Sequence, residues 1–388
     1  MSVEFRYAGL EEYPQISQFL NEYWAENHIY CRREDLYQWS FGRVRPRQND
    51  AVGGPSSMAV AEHDGELVGI LGGIPFTFNH FGESKRGVWI TNYVIRPDHR
   101  KGSTALQLLS MFRGNTGRGE HDYDITVAFG INPATATIYK VLRGEVLADI
   151  PRQLLVFPGA VSRMAHLLTI TRPEWEVERR EALAAAFELP AMPEAPGGEP
   201  VPLNLDAWDD ENWSIIAKET LGAARDAAFL RWRYFDHPLF DYRVVTAAEG
   251  RRTGLAIWRL ETIYQKTEEG RAPVDKIARL VEFLPASDEN AKQLISSFLV
   301  QAGEAGALAA DYYGYHGRYG KLLEACGMKR VSSVPDGEFL PTRFQPLDGK
   351  GGGIMSAMLV QFAKPACFAD AECPWYWTKA DSDQDRPN

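Results

Sequence analysis

The chain has 388 residues, enough for two domains that each bury a core, and its 45% hydrophobic and 24% charged residues are those of an ordinary globular protein. A formal net charge of −10 argues against a general nucleic-acid or anionic-membrane surface. Met1 to Tyr7 lacks the apolar core of a signal peptide, no apolar run approaches spanning length, and Cys31, Cys326, Cys367 and Cys373 have no CxxC spacing, so a cytoplasmic protein without a metal site is expected.

In chain order, residues 5–7 read as a short strand. Residues 13–24 place Ile16, Phe19, Leu20 and Tyr23 on one helical face, and 33–41 form a second helix with Leu36, Trp39 and Phe41. A polar, glycine-rich loop at 45–57 leads to strands at 58–62 and 67–78 around the turn His63-Asp64-Gly65-Glu66. The apolar run from Ile90 stops at Pro97. The basic turn His99-Arg100-Lys101-Gly102-Ser103-Thr104 then opens a helix with Ala105, Leu108, Leu109 and Phe112 at i, i+3, i+4, i+7 spacing. Such a turn aims free backbone N–H groups and the positive end of a helix dipole at one point, which suits a pyrophosphate; an ordinary strand-to-helix turn with a solvated basic edge has the same composition. Residues 124–129 are the next strand, and Asn132 precedes a helix with Ile138, Tyr139, Val141 and Leu142.

From 158 to 203 the composition shifts. Residues 174–187 are helical, and Pro190, Pro193, Pro196, Gly197, Gly198, Pro200 and Pro202 then exclude a helix or a central strand. Domains are therefore expected at 1–158 and 205–388, joined by 159–204. Beyond the linker the first plan returns in outline. Phe229-Leu230-Arg231-Trp232-Arg233-Tyr234 echoes Leu36-Tyr37-Gln38-Trp39-Ser40-Phe41, strands read at 242–247 and 254–260, and 277–284 ends at Pro285 as the earlier strand ends at Pro97. Ala291, Leu294, Ile295 and Phe298 repeat the helical spacing, and a strand at 307–313 and a helix at 319–326 complete the copy.

The copies differ where a ligand would sit. The turn Ala286-Ser287-Asp288-Glu289-Asn290 is acidic and repels a pyrophosphate, and Leu322 and Leu323 stand near the place of Tyr139. Tyr312-Tyr313-Gly314-Tyr315-His316 could stack a nucleobase or fill the core. Asp381-Ser382-Asp383-Gln384-Asp385-Arg386 lacks the glycine turn and final glutamate of a calcium loop, and reads as a solvated or docked acidic tail.

The order strand, basic glycine turn, helix, strand, and a helix with Asn132 and Tyr139 seven residues apart resembles the core of the GNAT acyl-CoA N-acyltransferase superfamily. The resemblance implies an α/β fold with an α+β mixed sheet, and the repeated plan makes it a tandem GNAT fold with a degenerate second copy. It implies acyl-CoA as co-substrate. His99, Arg100, Lys101, Gly102, Ser103 and Thr104 would hold the CoA pyrophosphate, although His99 and Thr104 depart from the Arg/Gln-x-x-Gly-x-Gly/Ala pattern. Backbone groups of Tyr93, Val94 and Ile95 would hold the pantetheine and thioester like an added strand. The Asn132 to Lys140 run matches better, with Asn132 in the site and Tyr139 as general acid to the departing thiolate; a helix tyrosine packing on the sheet has the same spacing.

The two-domain layout, with Leu-Arg-Trp-Arg-Tyr-Phe-Asp-His-Pro in the second half, resembles bacterial sugar N-acyltransferases. It implies the amine of a nucleotide-linked aminodeoxy sugar for surface polysaccharide as acceptor. The amine must lose a proton, and His28 and His80 are the candidate bases, each equally readable as a structural histidine. Phe76, Phe78 and Trp89 could line a site for more than acetyl. Two other readings stay open: an aminoacyl-tRNA-dependent peptidoglycan-type transferase, against which the acidic balance weighs, and a non-catalytic binding protein on the same fold.

Overall fold

The computed structural model describes residues 2–42, 55–112, 123–147, 149–197, 201–349, 354–360 and 374–385. Residues 45–54 of the expected loop, Gly198, Pro200, Cys367, Cys373 and Arg386 lie outside them.

The chain opens with β1 (Glu4–Gly9) and the helices α1 (Tyr13–Tyr23), α2 (Ile29–Arg32) and α3 (Glu34–Phe41). α1 buries Ile16, Phe19 and Leu20, the stripe expected of a surface helix. Three long strands follow, β2 (Pro55–His63), β3 (Glu66–His80) and β4 (Glu83–Ile95). Their two-residue turns, Asp64-Gly65 (φ 55° and 80°) and Phe81-Gly82 (φ 53° and 92°), have the paired left-handed conformations of type I′ hairpins. α4 (Thr104–Ser110), β5 (Ile125–Phe129), α5 (Pro133–Val141) and β6 (Glu145–Leu147) complete this run.

The second run starts at β7 (Arg152–Val156) and passes through α6 (Val161–Thr171), α7 (Val177–Ala186), α8 (Leu205–Trp208), α9 (Ser214–Ile216), β8 (Leu221–Ala223) and α10 (Ala227–Leu230). It continues as β9 (Arg243–Glu249), β10 (Arg252–Thr267), β11 (Gly270–Leu284), α11 (Asp288–Glu304), β12 (Ala309–Tyr313), α12 (Gly317–Ala325) and β13 (Lys329–Arg330). A small hairpin, β14 (Arg343–Phe344) and β15 (Leu347–Asp348), precedes β16 (Ser356–Val360) and β17 (Trp375–Tyr376).

The first sheet runs β1-β2-β3-β4-β5-β16-β6, with β8 on the far end of β3 and β17 on β8; the second runs β13-β7-β12-β11-β10-β9. Each combines antiparallel strands with parallel ones: β4 with β5 and β8 with β17 in the first, β11 with β12 in the second. This is the mixed α/β architecture read from the sequence. The halves also exchange a strand. β7 pairs with β12 of the second sheet, and β16 inserts between β5 and β6 of the first. The division placed at residue 158 therefore does not separate the two sheets. The echo of 36–41 by 229–234 is spatial as well: Trp39 and Trp232 stack with centroids 4.6 Å apart, and Trp39 Nε1 donates to the Trp232 carbonyl.

Two packed layers position the site. On one face of the first sheet Leu108, Leu109 and Phe112, beyond the end of α4, and Tyr139 of α5 cover Val68, Val88, Ile90 and Ile95. On the other face Met58, Ile74, Phe76, Phe78 and Trp89 join a core continuous with the second sheet. Each such buried side chain contributes about 1.5–3 kcal/mol by leaving water. Among the described residues no helix is long and apolar enough to cross a membrane.

Candidate active site

β4 and β5 pair only from Gly87 opposite Ile125 to Ile90 opposite Ala128. Immediately beyond, β4 carries a one-residue bulge, since Val94 lies opposite Ile70 of β3 but Thr91 opposite Gly72. Asn92 occupies the bulge at φ 50°, a left-handed conformation that asparagine tolerates better than most residues. β5 ends at Phe129, and Gly130 (φ 68°) turns the chain toward α5. The parallel pair thus opens into a wedge. Val94 and Ile95 return to register with β3 on one side, and residues 93–95 present their other edge to the wedge, where an extended ligand can add as a strand.

The α4/α5 face of the wedge holds Tyr139. Asn132 caps α5, its Oδ1 accepting from Thr135 N–H at 2.9 Å, and Tyr139 follows two turns on. The exposed side chain of Asn132 thus also orients α5 through its Oδ1. Tyr139 is fully buried, and neither its hydroxyl nor the Asn92 Nδ2 has a hydrogen-bond partner among the described residues. Burial, with a smaller contribution from Tyr93, pushes the Tyr139 phenol well above its ordinary range, so it stays protonated at neutral pH. A buried polar group without a partner costs about 1–3 kcal/mol, and such an orphan calls for something that completes it.

The basic turn is braced from behind and open in front. Tyr93 Oη donates to the Ala105 carbonyl at 2.5 Å, and Arg100 Nε to the Ile95 carbonyl at 2.9 Å, so both side chains tie the turn to β4. His99 lies between Arg96 (3.2 Å) and Asp98 (3.7 Å), and Arg96 is paired with Glu66 and Asp98. Thr104 is buried, whereas Lys101, Gly102 and Ser103 are exposed. A Cβ built on Gly102 meets nothing within 4 Å, which leaves free space before the first-turn N–H groups of α4.

The opposite face of the wedge is formed by the tail. Trp375 and Trp377 stack on each other and pack against Phe78, while Trp377 also meets Phe76 and Phe129. Arg225, wholly buried, pairs with Asp381 at 2.8 Å and Glu282 at 2.6 Å, and Arg259 pairs with Asp385 at 2.6 Å. So anchored, the tail brings Asp383 to the bulge, where its Oδ2 accepts from Thr91 Oγ1 at 2.5 Å, and Gln384 Nε2 donates to the Phe129 carbonyl at 3.4 Å. Ile90 and Tyr93 face the α4/α5 side, and Thr91 faces away from it. Tyr139 and Asp383 therefore flank the wedge from opposite faces. Sequence reasoning missed Thr91, Asn92 and Asp383; the run Trp375-Tyr376-Trp377 was the available signal that the acidic tail docks.

His28 caps α2, with Nδ1 accepting from Tyr30 N–H at 3.3 Å. His80 ends β3 at the hairpin, 4.0 Å from Glu83, and the stretch of β4 from Glu83 to Asn92 places it roughly 30 Å from the bulge at ~3.3 Å per residue. The structure does not bring His80 to the wedge. Phe76 stacks on Trp89 at 3.9 Å, and with Phe78 and Trp377 these rings fill the space assigned to an acyl chain.

No protein-family model matches the sequence, and no curated protein matches it. Solved structures do. The GCN5-related N-acetyltransferase from Anabaena variabilis is similar at a TM-score of 0.52 and 14% identity, over 93% of this chain and 73% of that one. Saccharomyces cerevisiae N-myristoyltransferase with bound myristoyl-CoA is similar at a TM-score of 0.52 and 13% identity, over 94% of this chain and 84% of that one. At such identities the likeness is one of fold: the chain carries the GNAT fold in tandem.

Proposed function

We propose that the chain is an acyl-CoA-dependent N-acyltransferase whose first half holds the donor and the general acid, and whose second half walls the acceptor side and supplies Asp383 as the base. The observation that carries this reading is the wedge itself: two splayed strands with an unpartnered, buried tyrosine hydroxyl on one face and a held carboxylate on the other. The CoA-bound neighbour of the same fold supports the choice of donor. The β4 edge beyond its pairing with β5 takes the pantetheine as a strand, and the open turn at 101–104 takes the pyrophosphate.

The acceptor amine attacks the thioester carbonyl with its lone pair, a new C–N bond forms and the C–S bond breaks. Asp383, held by Thr91 Oγ1, Ser382 Oγ and Gln384 Nε2, takes the proton the amine gives up, directly or through water. Tyr139 gives a proton to the departing sulfur. A positioned proton donor of this kind is worth about 10²–10⁴ in rate, and holding amine and carbonyl together supplies the larger part. The filled aromatic cluster favours a short acyl group. Among amines, a nucleotide-linked aminodeoxy sugar remains the acceptor class to try first, on the strength of the two-domain layout.

The test is thiol release from acetyl-CoA with nucleotide-linked 3-amino and 4-amino sugars, compared with a peptide bearing a free N-terminal glycine. Turnover by the wild type should fall at least about tenfold in Tyr139→Phe and in Asp383→Asn. Turnover with the peptide alone would replace the sugar assignment. Absence of turnover with every amine, together with no CoA-dependent shift in Tm, would sink the enzyme reading.

A further inference from the structure

Asp149-Ile150-Pro151, where the chain crosses from the first sheet into β7, is one wall of a cavity of about 440 Å³, a size that suits a small molecule. Its other walls include Arg152, Arg172, Tyr313, Arg330 and Phe339. Arg152 is already committed: Nη2 and Nε reach Asp311 Oδ2 at 2.9 and 3.2 Å, Nη1 reaches the Pro341 carbonyl, and its guanidinium carbon lies 5.3 Å from the Tyr313 ring centre. Arg172 is not. Its Nη1 donates to the Thr171 carbonyl, its guanidinium carbon lies 5.3 Å from the Phe339 ring centre, and its buried Nε has no partner among the described residues. Arg330 keeps 46% of its side chain exposed, with Glu324 3.6 Å away. Asp149 and Glu338 reach the cavity from exposed positions. The guanidiniums of Arg172, held over a ring, and of half-exposed Arg330, with Arg152 behind them neutralised by Asp311, make a cationic wall that suits an oxyanion.

The cavity adjoins the wedge. Ile150 N–H donates to the Ile354 carbonyl at 3.0 Å, and Ile131 N–H, just past β5, to the Met355 carbonyl at 3.2 Å. On the other side the Tyr313 carbonyl accepts from Lys379 N–H at 3.2 Å, and Asp383 lies four residues on, at most about 14 Å of extended chain. We propose that this cavity holds an oxyanion of the acceptor, a phosphate or a carboxylate, while the acceptor's amine reaches the wedge to be acylated. The proposal rests on the acyl-transfer reading, which supplies the second substrate and its amine.

The experiment is calorimetric titration of the full chain with inorganic phosphate, and separately with acetate, with and without saturating CoA. Phosphate is expected to bind the CoA-loaded protein. Its Kd should weaken about tenfold in Arg172→Gln, which loses a charged hydrogen bond, and about threefold in the more exposed Arg330→Gln, with CoA affinity unchanged in both. Tighter binding of acetate than phosphate, with the same response to the two variants, assigns the group as a carboxylate. If Arg172→Gln melts early, the exposed Arg330 decides alone. Neither anion binding, or equal binding by wild type and variants, overturns the proposal. CoA bound without an oxyanion leaves acyl transfer standing and removes this site; an oxyanion bound at these arginines without CoA does the reverse.

Discussion

The parallel pairs β4/β5 and β11/β12 share a plan and end differently. Each opens just before a one-residue bulge, with the last pairs at Ile90 in β4 and Leu280 in β11. In the first, the Nδ2 of the bulge residue Asn92 has no partner among the described residues, and no described strand pairs with β4 on the β5 side beyond Ile90. In the second, Glu282 binds Arg225, Tyr234 and Tyr376, and the Tyr376 hydroxyl also meets both the N–H and the carbonyl of Phe283. The tail then lies against the end of β12, with Tyr315 N–H on the Trp377 carbonyl, Gly314 bridging Thr378, and Lys379 N–H on the Tyr313 carbonyl. A segment of the chain itself thus occupies in the second half the place an extended ligand would take in the first. The same segment continues to Asp383 in the open wedge, so filling one site furnishes the other.

Arg225 is the severest test of that coupling. Arg225→Met strands Glu282 and Asp381 without a counter-charge in a site of zero exposure, and should cost about 3–5 kcal/mol of unfolding free energy in urea, with acyl transfer lost as the tail unseats. A change below about 0.5 kcal/mol would mean that the tail is held by its tryptophans alone.

Acid should act on the filled half next. His237 is buried, its Nδ1 accepts from Leu239 and Phe240 N–H at 3.1 and 3.0 Å, and burial, then Arg233, pushes its imidazole down to about 3. The folded state keeps it neutral while the unfolded chain takes the proton, so its stabilisation is present above pH 6.5 and is lost as pH falls toward 3. Between pH 7 and 5 this amounts to about 2 kcal/mol. Unfolding free energies that fall with acid in wild type but flatten in His237→Asn would bear this out; parallel slopes would refute it.

The smallest effects separate the two turns. Gly102→Ala should leave the stability of the free protein within about 0.5 kcal/mol and weaken CoA about tenfold, because its methyl enters the space before α4. Ser287 caps α11 through Asn290 N–H, so Ser287→Ala should cost about 1 kcal/mol and leave CoA binding alone. Calorimetry on both variants reads the contrast, and equal effects on CoA would erase it.

What the sequence revealed follows the range of the interactions. The hairpin turn Asp64-Gly65, the amphipathic helices and the strand-turn-helix around Gly102 depend on neighbours a few residues away, and they stand where expected. The repeat was legible because order survives when side chains change. The strand exchange was not: β7 and β16 are five residues each, and their partners lie far along the chain. Asp383 was hidden for a related reason. Alternating carboxylates look solvated until Arg225 and Arg259, met only in the fold, draw them inward. His80 looked plausible as a base because a strand end is near the acceptor side in general, but it is the wrong end of this strand.

The exchange of β7 and β16 bears on how the protein is made. When a ribosome has delivered the first 158 residues, β5 and β6 have no β16 between them and β7 has no sheet to join. The nascent chain must wait for residue 360 with two strand edges uncovered, an interval in which self-association competes with folding. Closing contacts over such separations is slow. Chaperone dependence during synthesis, and insolubility of the first half made alone, are the consequences to expect of a molecule whose halves complete each other only after both exist.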